Sequence, residues 1–247
     1  GTNGGADDTG VGYVYGGYVS GDGTAEDNTV TISSGVIGET SGYVYGGYAK
    51  NGTAKNNKVI MKDGQVDIPA PKTSGYVYGG CVSSGTAEGN TVTLSGGTIG
   101  NTSGTVAGGY VSAGGTAQSN SVIVSGGTIG SKEEEGIGCV YGGYVVSGTA
   151  SDNSVSIHSG TVGNCNGYVY GGYAESGTVS GNAVSVYGGV IDGIGYVHSG
   201  YVYGGCVSGG TAADNSVIIS GGTIGTGDGY VYGGYVSGDG TAEDNTV

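Results

Sequence analysis

The sequence predicts an all-β chain folded as a parallel β-solenoid of about eight ~30-residue coils, with three short strands per coil and coils alternating in one linker length. Three observations carry the prediction: one motif recurs through the whole chain, an apolar/polar alternation follows each copy, and glycine is too dense for helix. Residues 1–247 read as a single repeat domain, uncapped at both ends.

The first element of each unit is YVYGGY or a close variant, whose Gly-Gly begins at 16, 46, 79, 108, 142, 171, 204 and 233. The motif G-T-[AV]-x-x-N follows, ending at Asn28, Asn57, Asn90, Asn120, Asn153, Asn182, Asn215 and Asn245. Next come stretches such as TVTIS (29–33), TVTLS (91–95) and SVIIS (216–220), the period-two pattern of a half-buried strand. The first seven units close with a turn-like G-x-[IV], as in GGTIG (96–100). One such unit cannot bury its apolar face, whereas a stack can; eight coils at ~4.8 Å make a rod roughly 38 Å long. Glycine, 62 of 247 residues, falls neither at every third position, as in collagen, nor aperiodically, as in a disordered chain.

Asparagine at the same place in all eight units suits a ladder of side-chain amides bonded from coil to coil, with ordinary turn preference as the competing explanation. Charges just before it are ordered to avoid like neighbours: Glu26 is followed by Lys55, Glu88 and Gln118, and Asp152 by Gly181 and Asp214, with Asp214 before Asp244 the exception. From each Asn to the next Gly-Gly the count is 18, 22, 18, 22, 18, 22, 18. The extra residues fall in the linkers 63–75, 126–138 and 188–200, as expected if loops on every coil would collide, and the structural repeat would then be a pair of coils.

Within YVYGGY, Val14 and its counterparts recur in every unit and face inward; Tyr18 shares their parity and is expected inward too, unless a bulge at the glycine pair shifts the register. The first and third positions then face out as two columns, Tyr13, Tyr43, Tyr76, Tyr168, Tyr201 and Tyr230 in one and Tyr15, Tyr45, Tyr78, Tyr170, Tyr203 and Tyr232 in the other. Such a stripe is either a contact surface or a set of rings packed on one another. Unit four, with Thr105 and Ala107, is expected to interrupt it.

Chemistry-bearing motifs are missing. No G-x-S-x-G, H-E-x-x-H, Walker or dinucleotide fingerprint occurs, the acids are spread one or two per unit, and there is no Arg, so the chain is not expected to be an enzyme. No cofactor is expected; calcium is the one cation the Asp-rich corners leave open, although its G-G-x-G-x-D repeat is missing. Glu133, Glu134 and Glu135 read as a solvated loop tip, and His158 and His198 as surface residues. Cys81 and Cys206 hold equivalent inward sites too far apart to bond; Cys139 and Cys165 lie about one coil apart, so a bridge there is allowed and not required. The net charge of −14 argues against nucleic acid and anionic membrane as partners, and no apolar run reaches the ~18 residues of a membrane span. A first residue of Gly rather than Met suggests a processed product or a piece of something longer.

GGTIG, YVYGGY and NTVTIS together resemble the glycine-rich repeats of large bacterial surface proteins, including the β-helical passengers of autotransporter-type adhesins. The resemblance spans nearly the whole chain and implies secretion, display at the cell exterior, and a role as stalk, adhesin or fibre. Residues 12–30 recur identically at 229–247, and a following copy would reproduce the 18-residue spacing. The expected function is a structural segment or subunit of an extracellular bacterial fibre, stacking on itself end to end and also laterally through its tyrosines. The alternative is an adhesin stalk binding a glycan or host protein through the tyrosine stripe; ice binding through threonine arrays is a weaker third.

Overall fold

A computed structural model describes residues 2–3, 10–67, 73–130, 136–163, 166–192 and 199–247. Among them the chain winds as a parallel β-solenoid. Each coil opens with a long strand: Val11–Glu26, Ser41–Lys55, Ser74–Glu88, Ser103–Gln118, Ile137–Ser151, Asn166–Ser180 and Ser199–Ala213, with the eighth split into Asp228–Val236 and Gly240–Glu243. A four-residue strand follows, as in Thr29–Ile32 and Thr91–Leu94, then a two-residue strand such as Val36–Ile37 or Thr98–Ile99. In the fourth and fifth coils these two join as Ser121–Ile129 and Ser154–Val162.

The long strands stack in chain order into one sheet and the shorter ones into a second, always parallel and always with the neighbouring coils. Repeat positions pair with themselves: Val44 with Val14 and Val77, Val106 with Val77 and Val140. Thr2–Asn3 pairs with Val36–Ile37, so the first residues occupy the third-strand place of a coil preceding the first.

Three strands per coil agree with the sequence, but the first is long rather than short. Pairing runs through the glycine pair, Gly17 opposite Gly47 and Tyr18 opposite Tyr48. The bend comes later, at Gly52 and its equivalents, whose φ values (113° at Gly52, 120° at Gly85) lie where a side chain is strained. The last corner is made by the residue before the ladder asparagine. Asp27, Asn56, Gly89, Ser119, Asp152, Gly181, Asp214 and Asp244 all sit in the left-handed region, φ 51–64°. Asp, Asn and Gly enter that region most cheaply, which is why the corners are Asp-rich.

Two apolar compartments run along the axis. The larger joins Val44, Val77, Val106, Val140, Val169 and Val202 of the long strands to the inward residues of the short ones, such as Val92, Leu94 and Ile99. The smaller lies inside the bend and is built from Val or Ala, as in Val82 with Ala87 and Val111 with Ala117. Between the glycine pair and the strand that follows, the asparagines are buried.

The linker alternation leaves the pairing untouched. The extra residues fall between the third strand and the next long strand, largely in 68–72, 131–135 and 193–198, outside the described residues. On either side the ladder resumes in register, Val66 with Ile99 and Ser74 with Ser103. Among the described residues the strands and their pairing repeat with every coil, and the alternation is confined to the linkers.

Candidate functional site

Two axial arrays hold the residues singled out by the sequence. The first is the asparagine ladder. Each side chain from Asn28 to Asn215 donates from Nδ2 to Oδ1 of the next coil's asparagine, at 2.8–3.0 Å. The same Oδ1 also accepts the previous asparagine's backbone N–H, at 2.9–3.1 Å. The second Nδ2 hydrogen goes back to the preceding coil, Asn57 to the Ala25 carbonyl and Asn120 to that of Ala87, at 2.8 and 2.9 Å. Every donor and acceptor of an interior amide is thus used, which is what allows Asn57 through Asn215 to be no more than 1% exposed. The amides all point the same way, carbonyl toward the first coil and N–H toward the last.

Local sequence makes room for the ladder. A Cβ on Gly17, Gly47, Gly80 or Gly109 would lie within 3.0 Å of the amide of its own coil's asparagine. Both glycines of the pair therefore turn their missing side chains inward. The sequence signal was present, a glycine pair with an asparagine at fixed distance, but only the fold joins them.

The same double inward turn reverses the expected parity beyond it. Tyr18, Tyr48, Cys81, Tyr110, Tyr144, Tyr173, Cys206 and Tyr235 were expected inward; they stand on the outer face, and Val19, Ala49, Val82 and their equivalents take the inside. The tyrosine stripe thus has three columns. Rings of successive coils stack face to face: Tyr13, Tyr43 and Tyr76 at 5.0 and 4.7 Å, Tyr168, Tyr201 and Tyr230 at 4.9 and 5.0 Å. In the middle column Tyr15 lies 4.8 Å from Tyr45, and Tyr170 4.9 Å from Tyr203, which stacks on Tyr232 at 5.3 Å. The added column continues the pattern, Tyr110–Tyr144–Tyr173 at 4.9 and 5.1 Å, and meets the middle column edge-on.

Unit four interrupts the first two columns, as expected, and the third column bridges the gap. Where Ala107 and Cys81 leave space, Tyr78 tilts out of the middle column and stacks on Tyr110 of the third at 4.8 Å. Stacking also covers the rings. Tyr45, Tyr78, Tyr170 and Tyr203 are 7–9% exposed, while at the first coil Tyr13, Tyr15 and Tyr18 remain 39–58% exposed. Interior rings offer solvent their edges and hydroxyls, with faces committed to one another.

Burial pushes the phenols up, Tyr78, Tyr141 and Tyr170 well above the ordinary tyrosine value, with neighbouring thiols and rings adding to it. The thiols move likewise: burial pushes Cys81 and Cys206 up to about 12 and Cys139 to about 11, so all three stay protonated and weakly nucleophilic at neutral pH. Cys139 is a free thiol; Cys165 lies outside the described residues, as do Glu133, Glu134, Glu135 and His198. His158 is exposed and stacks on Tyr187 at 4.9 Å.

The charged corner column pairs as its order suggested, Glu26 opposite Lys55 and Lys55 opposite Glu88, with Lys55 Nζ 3.5 Å from Glu88 Oε2. Among the described residues no three His, Cys, Asp or Glu side chains gather as a metal site. Set against known proteins, the chain matches no family model, no curated sequence and no solved structure.

Proposed function

We propose that the chain is a structural element, a rigid β-solenoid segment of an extracellular bacterial fibre or stalk, propagated by coil stacking on coil. The observation that carries the reading is the polarity and completeness of the asparagine ladder. Each coil accepts amide donors from the coil before it and offers donors to the coil after it. Any further coil of the same repeat, in the same chain or in a second copy, extends the array without new chemistry. The bonds run along the axis, so a pull lengthwise loads many ladder bonds at once. The surface location follows from the resemblance of the repeats. The adhesin reading gains less from the geometry, because a sugar stacking on tyrosine needs ring faces and the interior faces are taken.

Negative-stain electron microscopy of the purified chain, with and without calcium, tests the proposal. Rods of uniform width are expected, roughly 38 Å long per copy at ~4.8 Å per coil and growing in length by whole copies. Round particles, or rods that thicken without lengthening, would remove the end-to-end reading.

A further inference from the structure

We propose that two copies of the chain pair side by side through their tyrosine faces. This rests on the structural reading above and adds a second, lateral direction of assembly.

The chain carries a net charge of −14, yet the three tyrosine columns contain no charged residue. Among the described residues, charge on this face is confined to its rims, at Lys50, Glu175 and Asp228; Glu175 accepts a hydrogen bond from Tyr144 at 2.7 Å. Many of the described acids lie instead at the far bend and corner, as at Glu26, Asp27 and Glu243. A like-charged second copy can therefore approach on this side without forcing carboxylates together.

The face is also flat and large enough. Rings of successive coils deviate from parallel by only 6–11° in the stacks from Tyr13 to Tyr76 and from Tyr168 to Tyr230, so the first column barely rotates along the rod. Eight coils at ~4.8 Å and about eight strand residues at ~3.3 Å give roughly 1,000 Å² per copy. A pair would cover about 2,000 Å², the upper part of the range for stable protein interfaces. Tyrosine edges and hydroxyls, with few rotatable bonds to immobilise, are well suited to such a surface. Because every copy repeats at the same spacing, ring rows of one can seat between ring rows of the other, as in the dry interfaces of stacked sheets.

Sedimentation equilibrium combined with small-angle X-ray scattering tests the pairing. The wild-type chain is expected to gain mass with concentration, its cross-sectional mass doubling whether or not the rods also lengthen. Thr105→Glu places a charge in the first column, midway along the rod, while removing no ring; burying it unpaired should weaken pairing at least roughly tenfold. Ile137→Lys repeats the test from the edge of the face, and Thr91→Glu, on the second strand, should leave pairing unchanged. Circular dichroism checks that each variant folds. A chain that stays monomeric, or a Thr105→Glu chain that pairs as tightly as wild type, overturns the proposal. Growth in length at constant cross-section overturns it too, while leaving the end-to-end reading intact. A monomer whose tyrosine fluorescence shifts on titration with soluble oligosaccharides would assign the face to a glycan instead.

Discussion

Gly109 and Asn120 occupy one space: a Cβ on the glycine would fall within 3.0 Å of the asparagine's Oδ1, Cγ and Nδ2. The relation recurs in each coil, so the glycine pair and the ladder form a single device. Gly109→Ala should cost roughly 3 kcal/mol by overpacking. Combined with Asn120→Ala it should cost less than the sum of the single changes, since the two share the volume. Urea unfolding of the singles and the double measures this; additivity would mean the contact carries no strain.

The ladder itself is tested at Asn120, which is 0% exposed. Removing its amide strands donors on Asn90 and the Ala87 carbonyl, so Asn120→Ala should cost about 3 kcal/mol. Asn120→Asp should be worse, because an oxygen would then face the Ala87 carbonyl or Asn153 Oδ1. Hydrogen exchange should report the loss over the fourth coil and its neighbours. Asn245→Ala, in a more exposed coil, should cost less.

The linker corner predicts unequal costs for exchanging Gly and Asp. Gly38, Gly100, Gly130, Gly163 and Gly225 sit there at φ 68–82°, and Asp67 replaces them at φ 83°. After Gly38 and Gly100 the short linker brings the carbonyls of Ser41 and Ser103 onto the space a Cβ would need; before the longer linker at Gly130 the nearest carbonyl is 2.6 Å away. Every short linker keeps the glycine, whereas two of the three longer ones carry Asp67 and Asp192 in its place. Asp67 is 3% exposed, and its Oδ1 has no hydrogen-bond partner. Asp67→Gly relieves the φ but loses the hydrogen bond from Asn101 N–H to Asp67 Oδ2 at 3.0 Å. It should therefore change stability by less than about 1 kcal/mol, whereas Gly100→Asp should lose more than that, read from thermal melts.

Tyr78 crosses between ring columns to reach Tyr110. Tyr110→Ser should remove that stack, change near-ultraviolet circular dichroism, and cost roughly 1 kcal/mol beyond the lost area. An unchanged spectrum would mean that Tyr78 keeps its tilt without the partner.

Alkali should unfold the chain before acid does. Burial raises the phenols of Tyr45, Tyr78, Tyr170 and Tyr203 above their ordinary 10.0, and the thiols of Cys81 and Cys206 above 9.0. The unfolded chain then releases protons first, and stability, full below about pH 9, falls as pH climbs through that region and beyond. Unfolding free energies measured from pH 7 to 12 should decline from about pH 9, with Cys81 and Cys206 resisting thiol reagents below it. A flat profile would show the rings to be solvated.

Much was legible in one dimension. Repetition of YVYGGY and the asparagine motif fixes a stack, since identical units brought into register pair identical residues, and the ladder asparagines and the charge order at Glu26, Lys55 and Glu88 follow from that alone. The parity of Tyr18 was not legible. Strand alternation assumes one residue per side, and two adjacent glycines can both face inward only because Asn28 of the same coil fills the space they vacate. The crossing at Tyr78 was hidden for a similar reason: it depends on Ala107 and Cys81 in neighbouring coils leaving a gap at once. The sequence by itself determined the period, the stacking and which residues would meet their own kind. The tertiary structure decided which way each side chain faces and what fills each gap, because those depend on volumes shared between segments far apart in the chain.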